Sequence, residues 1–215
     1  TELAVRTYKV YGDNTIEMLY DDPYLLMDEG LEAPFEIVDR FAIDIGVAAD
    51  DPRRVEAGIL FELTYNLNAG HSFLPGEKLI AATAQLLSVE FEAVEQGMQR
   101  LLEADRLVAD TLAGIAVVYL PQLYEAEQYC TRKLLSMTRQ SFPVPKDLEK
   151  RIRAVEKASG IAYSEEQTAA IREAAASGLL LITGGPGTGK TTILNGLLSL
   201  LGQMQLKCLL AAPTG

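Results

Sequence analysis

Leu179-Leu180-Leu181-Ile182-Thr183-Gly184-Gly185-Pro186-Gly187-Thr188-Gly189-Lys190-Thr191-Thr192 passes from a short apolar run, through a glycine loop, into an apolar helical pattern. The positions Gly184, Gly189, Lys190 and Thr191 satisfy the phosphate-loop pattern G-x-x-x-x-G-K-[ST], in the strand–loop–helix setting that the pattern requires. Each residue type has a physical task there. Gly185, Gly187 and Gly189 free the backbone to turn its N–H groups inward around the β- and γ-phosphates, at the positive end of the following helix. Lys190 neutralises phosphate charge and Thr191 offers a hydroxyl to Mg²⁺, so these two are the candidate catalytic residues and Thr191 the candidate metal ligand. Gly185, Pro186, Gly187, Thr188, Gly189, Lys190, Thr191 and Thr192 together are the candidate nucleotide-binding segment.

Outward from the loop, residues 179–183 and 207–211 read as strands and 191–201 as the helix between them, which is the opening of a parallel α/β domain. Upstream lie a helix from Glu165, a basic helix over 146–158 and a linker at Pro143-Val144-Pro145. Ser164-x-x-Gln167 has capping-box spacing. The preceding zone, 76–142, reads as a helix over 79–87, then a second helix capped by Ser88 with Phe91, Val94, Met98, Leu101 and Leu102 as its buried stripe. A β-hairpin follows, from Leu107-Val108 to 115–120 around a turn at 110–114. That order is winged-helix-like. Residues 1–75 read as short helices broken by Gly12, Pro23, Gly30, Pro34, Gly46, Pro52 and Gly70, with no sheet. The expected fold is therefore a mainly α front, a helical domain at 1–75 and a winged-helix-like one at 76–142, followed by the truncated start of a parallel α/β phosphate-loop domain at 143–215.

The bulk properties narrow the setting. Net charge is −11, but it is uneven: residues 1–75 carry 5 basic and 15 acidic side chains, residues 76–140 carry 6 and 9, and residues 141–215 carry 8 and 6. A strong non-specific DNA clamp in the first 75 residues is thereby disfavoured. Cys130 and Cys208 are far apart, with one histidine, His71, in the chain. A zinc site and a disulfide framework are both unsupported, and a reducing, cytoplasmic compartment is expected. No apolar run reaches the ~18–20 residues of a membrane span. With Thr1 first and no leader, the chain reads as an excerpt of something longer.

Tyr163-Ser164-Glu165-Glu166-Gln167, the phosphate loop and Ala212-Pro213-Thr214-Gly215 together resemble superfamily 1 helicases, in particular the RecD-like DNA helicases. Asp22-Pro23-Tyr24-Leu25, Arg54-Val55-Glu56-Ala57-Gly58-Ile59 and Gly70-His71-x-Phe73-Leu74-Pro75 extend the likeness upstream, to the helix-hairpin-helix region before the motor. The resemblance implies ATP and Mg²⁺ as cofactors, Gln167 as the adenine reader, and Thr214 in a segment touching the DNA strand. It implies single-stranded DNA and duplex ends or forks as substrates, and a role in DNA repair or recombination. The remaining ATPase residues are then expected beyond Gly215, leaving the 215-residue chain inactive by itself. Gln167 also has the plain reading of a helix cap. One departure stands out: where relatives carry a glycine-rich hairpin, this chain reads Leu31-Glu32-Ala33-Pro34-Phe35, which removes a donor and adds a negative charge. A docking or packing role is expected of that hairpin.

Other features resolve to ordinary structure. Leu25-Leu26-Met27-Asp28-Glu29 imitates the apolar-run-then-Asp-Glu motif of ATPases but precedes the phosphate loop by more than a domain's worth of chain. His71 lacks ligand company and reads as structural. Glu90, Glu92 and Glu95 against Arg100 make a poor major-groove face, so the winged-helix-like zone reads as a spacer or protein contact. Lys146, Lys150, Arg151, Arg153 and Lys157 could follow DNA or form a solvated face. Two alternatives to the helicase reading stay open: a RecD-type subunit of an exonuclease complex whose acidic front docks a protein, and a phosphate-loop NTPase outside the helicases.

Overall fold

A computed structural model describes residues 2–28 and 30–212. The chain forms two compact units, 1–128 and 129–215.

The first unit begins with helices α1 (Glu2–Tyr11) and α2 (Thr15–Asp21), then the 3-10 helix Pro23–Met27, α3 (Phe35–Asp44) and α4 (Pro52–Asn68). Two aspartates start these elements in the same way. Asp22 accepts from the Tyr24 N–H at 3.0 Å and Asp51 from the Arg53 N–H at 2.9 Å, each followed by proline at the first position, where no N–H is needed. Strand β1 (Phe73–Pro75), helices α5 (Gly76–Leu87) and α6 (Phe91–Glu103), and strands β2 (Val108–Leu112) and β3 (Ile115–Tyr119) follow. The antiparallel sheet runs β1-β3-β2, with Phe73 opposite Tyr119 and Val108 opposite Tyr119 on the other side. β1 corrects the expectation of no sheet before residue 75. Three residues are too few to show alternation, and Pro75 is tolerated because β1 is an edge strand.

Ser88 also differs from expectation. It ends α5 in the left-handed conformation, φ +55°, while Glu90 occupies the cap position of α6 without a side-chain cap bond. The hairpin turn is tighter than read: Ala113 and Gly114, at φ +50° and +83°, supply the whole connection, and both positive angles match the twist of the flanking strands. Helix α7 (Pro121–Thr138) had no counterpart in the sequence reading. None of its residues is buried, so it has no core-facing stripe to give a periodic signal.

One core spans the stretches on either side of residue 75: Leu31, Val38, Val55, Ile59, Leu79, Leu87, Val94, Leu101 and Val118 are buried in a single cluster. Close helix approach is made by glycine. A Cβ on Gly97 of α6 would lie 2.7 Å from Val55 Cγ1, and one on Gly58 of α4 would lie 2.8 Å from Leu87 Cδ1. Inside this packing sits an ion pair. Arg54, 7% exposed, donates to both oxygens of Asp39 at 2.8 and 2.9 Å, and to the carbonyls of Ala49 and Leu87. The Tyr24 hydroxyl donates to the same carboxylate at 2.8 Å.

The second unit contains α8 (Leu148–Ser159), α9 (Glu165–Ala176) and α10 (Lys190–Gln203), around Leu148, Ile152, Val155, Ile171, Ile193 and Leu200. Segment 140–142 is held to 176–178 by Phe142 N–H to Ala176 O at 2.7 Å and Gly178 N–H to Gln140 O at 3.1 Å. The expected strands 179–183 and 207–211 do not form: neither carries a ladder among the described residues. A strand exists only through its partners, and here Leu181 is 83% and Leu209 99% exposed. Both cysteines are free and exposed, no described helix is long and apolar enough to cross a membrane, and no cluster of metal-binding side chains occurs among the described residues.

Three stability changes follow from this packing. Arg54→Met leaves the half-buried Asp39 carboxylate with the Tyr24 hydroxyl but no cation, and is expected to lower unfolding free energy in urea by about 3 kcal/mol. Thr83 is fully buried on α5 with an unpartnered hydroxyl; the isosteric Thr83→Val should raise stability by about 1 kcal/mol in the same titration. Burial, then its hydrogen bond to the Glu127 carboxylate, pushes the Tyr119 hydroxyl up to about 12. The folded chain thus keeps a proton that the unfolded chain releases near pH ~10, so stability should fall between about pH 10 and 12. Thermal melts over that range should show a smaller loss for Tyr119→Phe than for the parent.

Candidate functional site

Local sequence builds the phosphate loop in three steps. Gly184 comes first: a Cβ there would lie 2.6 Å from Thr188 Oγ1, so only glycine lets the loop close on itself. Thr188 then secures the closure, its hydroxyl donating to the Gly185 carbonyl at 2.9 Å. Gly187 and Gly189 take φ of +76° and +84°, the left-handed region that glycine enters without strain, and Gly189 is the cap residue from which α10 departs. Around Gly185 and Gly187 a side chain would meet nothing within 4 Å, so this part of the backbone is open to an approaching group.

Lys190 is the first residue of α10, and its ammonium donates to the carbonyls of Gly184 and Gly185, both at 2.6 Å. The charge is thus held over the loop, at the positive end of a 14-residue helix. Thr191 lies exposed on the first turn of α10, and Thr192 is half-buried beside Gly189. Open backbone, a poised cation and a free helix start fit a phosphate group, and the exposed Thr191 hydroxyl fits a hydrated Mg²⁺ beside it.

Gln167 reaches the loop from α9. Its Oε1 accepts from the Ser164 N–H at 3.0 Å, while its own N–H donates to Ser164 Oγ at 3.3 Å, completing a capping box. The amide's other end, Nε2, lies so close to Gly189 that a Cβ at that position would collide with it. The capping geometry and the approach to the phosphate loop therefore coexist in one rotamer. Gln167, Ser164, Gly184, Thr188 and Lys190 line a common cavity of about 500 Å³. Glu166 also faces it. A backbone hydrogen bond first, and then the Ser164 hydroxyl, hold its carboxyl below the usual carboxylate range, so it stays ionised near neutrality.

Sequence reasoning missed the support behind this site. A Cβ on Gly196, inside α10, would collide with the Tyr163 hydroxyl and lie 2.8 Å from Tyr163 Cζ, so that glycine is the seat of the tyrosine preceding the capping box. Glu156 of α8 accepts from the Tyr163 N–H at 2.9 Å. A glycine inside an apolar helix was the available signal. Arg151 ties α8 to the end of α10 through the Gln203 carbonyl at 3.1 Å, and Arg172 pairs with Glu149 at 2.9 Å. Two of the basic helix's neighbourhood charges thus serve packing, while Lys150, Arg153 and Lys157 face solvent. Thr214 lies outside the described residues. His71 is exposed, and Asp28 of the decoy motif follows the 3-10 helix in the first unit, remote in sequence from the loop; Glu29 is outside the described residues.

A larger cavity, about 820 Å³, exists in the first unit, lined in part by Phe35, Phe61 and Glu32. The smaller one is the better fit for a phosphate group, because loop donors, cation and helix start converge there.

Comparison with known proteins places the chain beside helicases. Residues 1–73 match the family model described as ATP-dependent RecD2 DNA helicase HHH domain, and residues 167–215 match one described as AAA domain. The ATP-dependent RecD2 DNA helicase of Deinococcus radiodurans is 32% identical over 230 residues, covering 99% of this chain and 31% of the relative. The RecBCD enzyme subunit RecD of Mycolicibacterium smegmatis is 50% identical over 58 residues, 24% of this chain and 10% of that protein. The chain thus spans about a third or less of the relatives it matches. With a helix-hairpin-helix match at one end, the beginning of an AAA domain at the other and a relative aligned along nearly its whole length, the chain is similar to the N-terminal part of RecD-like helicases.

Proposed function

We propose that this chain is the N-terminal portion of an ATP-dependent DNA helicase that moves along single-stranded DNA and opens duplex ends or forks, in repair or recombination. The observation that carries the reading is the convergence of Lys190, the Gly184–Gly189 loop and Gln167 on one cavity. Lys190 would exchange its two carbonyl contacts for phosphate oxygens, and the N–H groups of Gly185, Gly187, Thr188 and Gly189 would turn to the same anion. Thr191 would hold Mg²⁺, whose charge neutralises the phosphate oxygens when bound. Gln167 has its Oε1 anchored by Ser164, so its amide plane is set before a nucleotide arrives; Nε2 is then a fixed donor for the base. Thr192 and Pro186 complete the segment, by packing and by stiffening the loop crest. Thr214, two residues past the described chain, would meet the DNA strand.

The same proposal divides the chain into a helix-hairpin-helix domain at 1–75, a winged-helix domain at 76–142 and the start of a RecA-like domain at 143–215. The order α4, β1, α5, α6, β2, β3 with the sheet β1-β3-β2 supports the middle assignment. Glu92 and Glu95 on the exposed side of α6 favour a spacer or protein contact there over a DNA reader. A cytoplasmic location accords with the two free cysteines.

The test is ATPase rate with and without single-stranded DNA, in a polypeptide extended to the length of the relatives. DNA should stimulate turnover, and Lys190→Ala should remove about 10²-fold or more of it, as loss of a main phosphate contact does. Gln167→Ala should instead raise KM for ATP with a smaller change in kcat. Turnover indifferent to DNA would leave an NTPase that is not a translocating motor. The 215-residue chain alone should show no turnover above the Lys190→Ala background.

A further inference from the structure

The larger cavity of the first unit has no part in nucleotide chemistry, and its lining has a definite character. Its floor is apolar: Phe35 and Phe61 stack with ring centroids 4.8 Å apart, beside Ala33 and Leu60. Its rim is acidic, with Asp22, Asp28, Glu32, Glu36 and Glu56 against Arg53 and Arg106. Arg53 is taken by Asp51 at 2.7 Å, and Glu56 by Arg100 at 2.6 Å. Four rim carboxylates thus remain without an ion pair among the described residues, beside Arg106 and the Arg53 already paired to Asp51. Burial pushes the Asp22 carboxyl upward, against the pull of the Tyr24 N–H and the Arg53 charge.

The same place is where a helix-hairpin-helix unit would offer backbone N–H groups to a phosphate. Here those donors are spent: Leu31 and Glu32 N–H both donate to Asp28 O at 3.0 Å, and Ala33 N–H to Leu26 O at 2.9 Å. Pro34 has none to give, and exposed Glu32 and Glu36 would repel an anion. A nucleic-acid backbone is therefore the wrong occupant. An apolar floor inside a ring of unpaired carboxylates selects the opposite chemistry, a side chain of Leu or Phe type carried on a Lys- or Arg-rich segment.

We propose that this groove docks a cationic, amphipathic segment of a partner protein, its apolar residues seated over the Phe35–Phe61 stack and Leu60 and its basic residues on Asp28, Glu32 and Glu36. The assignment does not depend on the ATPase reading, since no groove residue belongs to the phosphate loop.

The experiment is fluorescence anisotropy of the 215-residue chain with a labelled amphipathic Leu/Lys helical peptide, beside an oligolysine of equal charge. The Leu/Lys peptide should bind about tenfold tighter than oligolysine, and Glu32→Lys with Glu36→Lys should weaken it by about tenfold. The charge-matched pair Glu92→Lys with Glu95→Lys on α6 should change affinity by less than about twofold. Thermal melts check folding, and Asp28→Asn gives the same direction of change should the double variant melt early. Equal affinity for oligolysine, or equal loss in both double variants, would overturn the proposal in favour of diffuse attraction to the −11 chain. Oligothymidylate binding lost in Arg106→Ala would overturn it for nucleic acid. A dimer in sedimentation that Glu32→Lys with Glu36→Lys dissociates would overturn it for a second copy.

Discussion

The buried Arg54–Asp39 pair is the constraint on which the first unit depends. Five donor–acceptor contacts converge there, joining the 3-10 helix through Tyr24, α3 through Asp39, the loop before α4 through Ala49 and the end of α5 through Leu87. An apolar cluster can be satisfied by many arrangements, because hydrophobic contact has little direction. A guanidinium fork with fixed partners on three sides admits far fewer. Burying the pair incurs a desolvation cost that its geometry must offset, and its further carbonyl contacts serve that end. The glycines at 58 and 97 then let α5 and α6 close on α4.

In the second unit the corresponding constraint is small-residue contact. Gly184 folds the loop on Thr188, Gly189 admits the Gln167 amide and Gly196 admits the Tyr163 ring. The last two contacts join α9 and the residue before its cap to α10, so the start of α10 and the capping box of α9 are fixed to each other. A binding site needs such support to hold its donors in place before the ligand arrives. The apolar segments around Leu181 and Leu209 carry no ladder and stay exposed. Among the described residues the phosphate loop is shaped by its own glycines and by two helices.

The two cavities illustrate how chemistry, and not size, separates sites. The one beside Lys190 combines a cation with loop donors and is suited to an anion. The wider one has the Leu31, Glu32 and Ala33 donors spent internally and is ringed with carboxylates. Both lie where a helix begins after a glycine- or proline-containing turn, and spent donors together with side-chain charge give them opposite preferences.

How much was legible in advance depends on the range of the interaction. The phosphate loop, the capping box at Ser164 and Gln167, and the starts of the 3-10 helix and α4 at Asp22 and Asp51 are all local: the partners lie within a few residues, so residue type and spacing determine them. The resemblance to the RecD-like family was readable for the same reason. Strand β1, the left-handed Ser88 and helix α7 were not, because each is settled by partners distant in the chain or lacks a core-facing stripe. The expected strands at 179–183 and 207–211 fail on the same ground, since apolar β-prone sequence becomes a strand only when a neighbour supplies its hydrogen bonds. Sequence by itself determined the phosphate-binding loop and the charge of the two ends. Only tertiary structure decided that Arg54 meets Asp39, that Gln167 Nε2 meets Gly189 and that Phe35 meets Phe61 to floor the acidic groove, because those contacts join positions 15 or more residues apart.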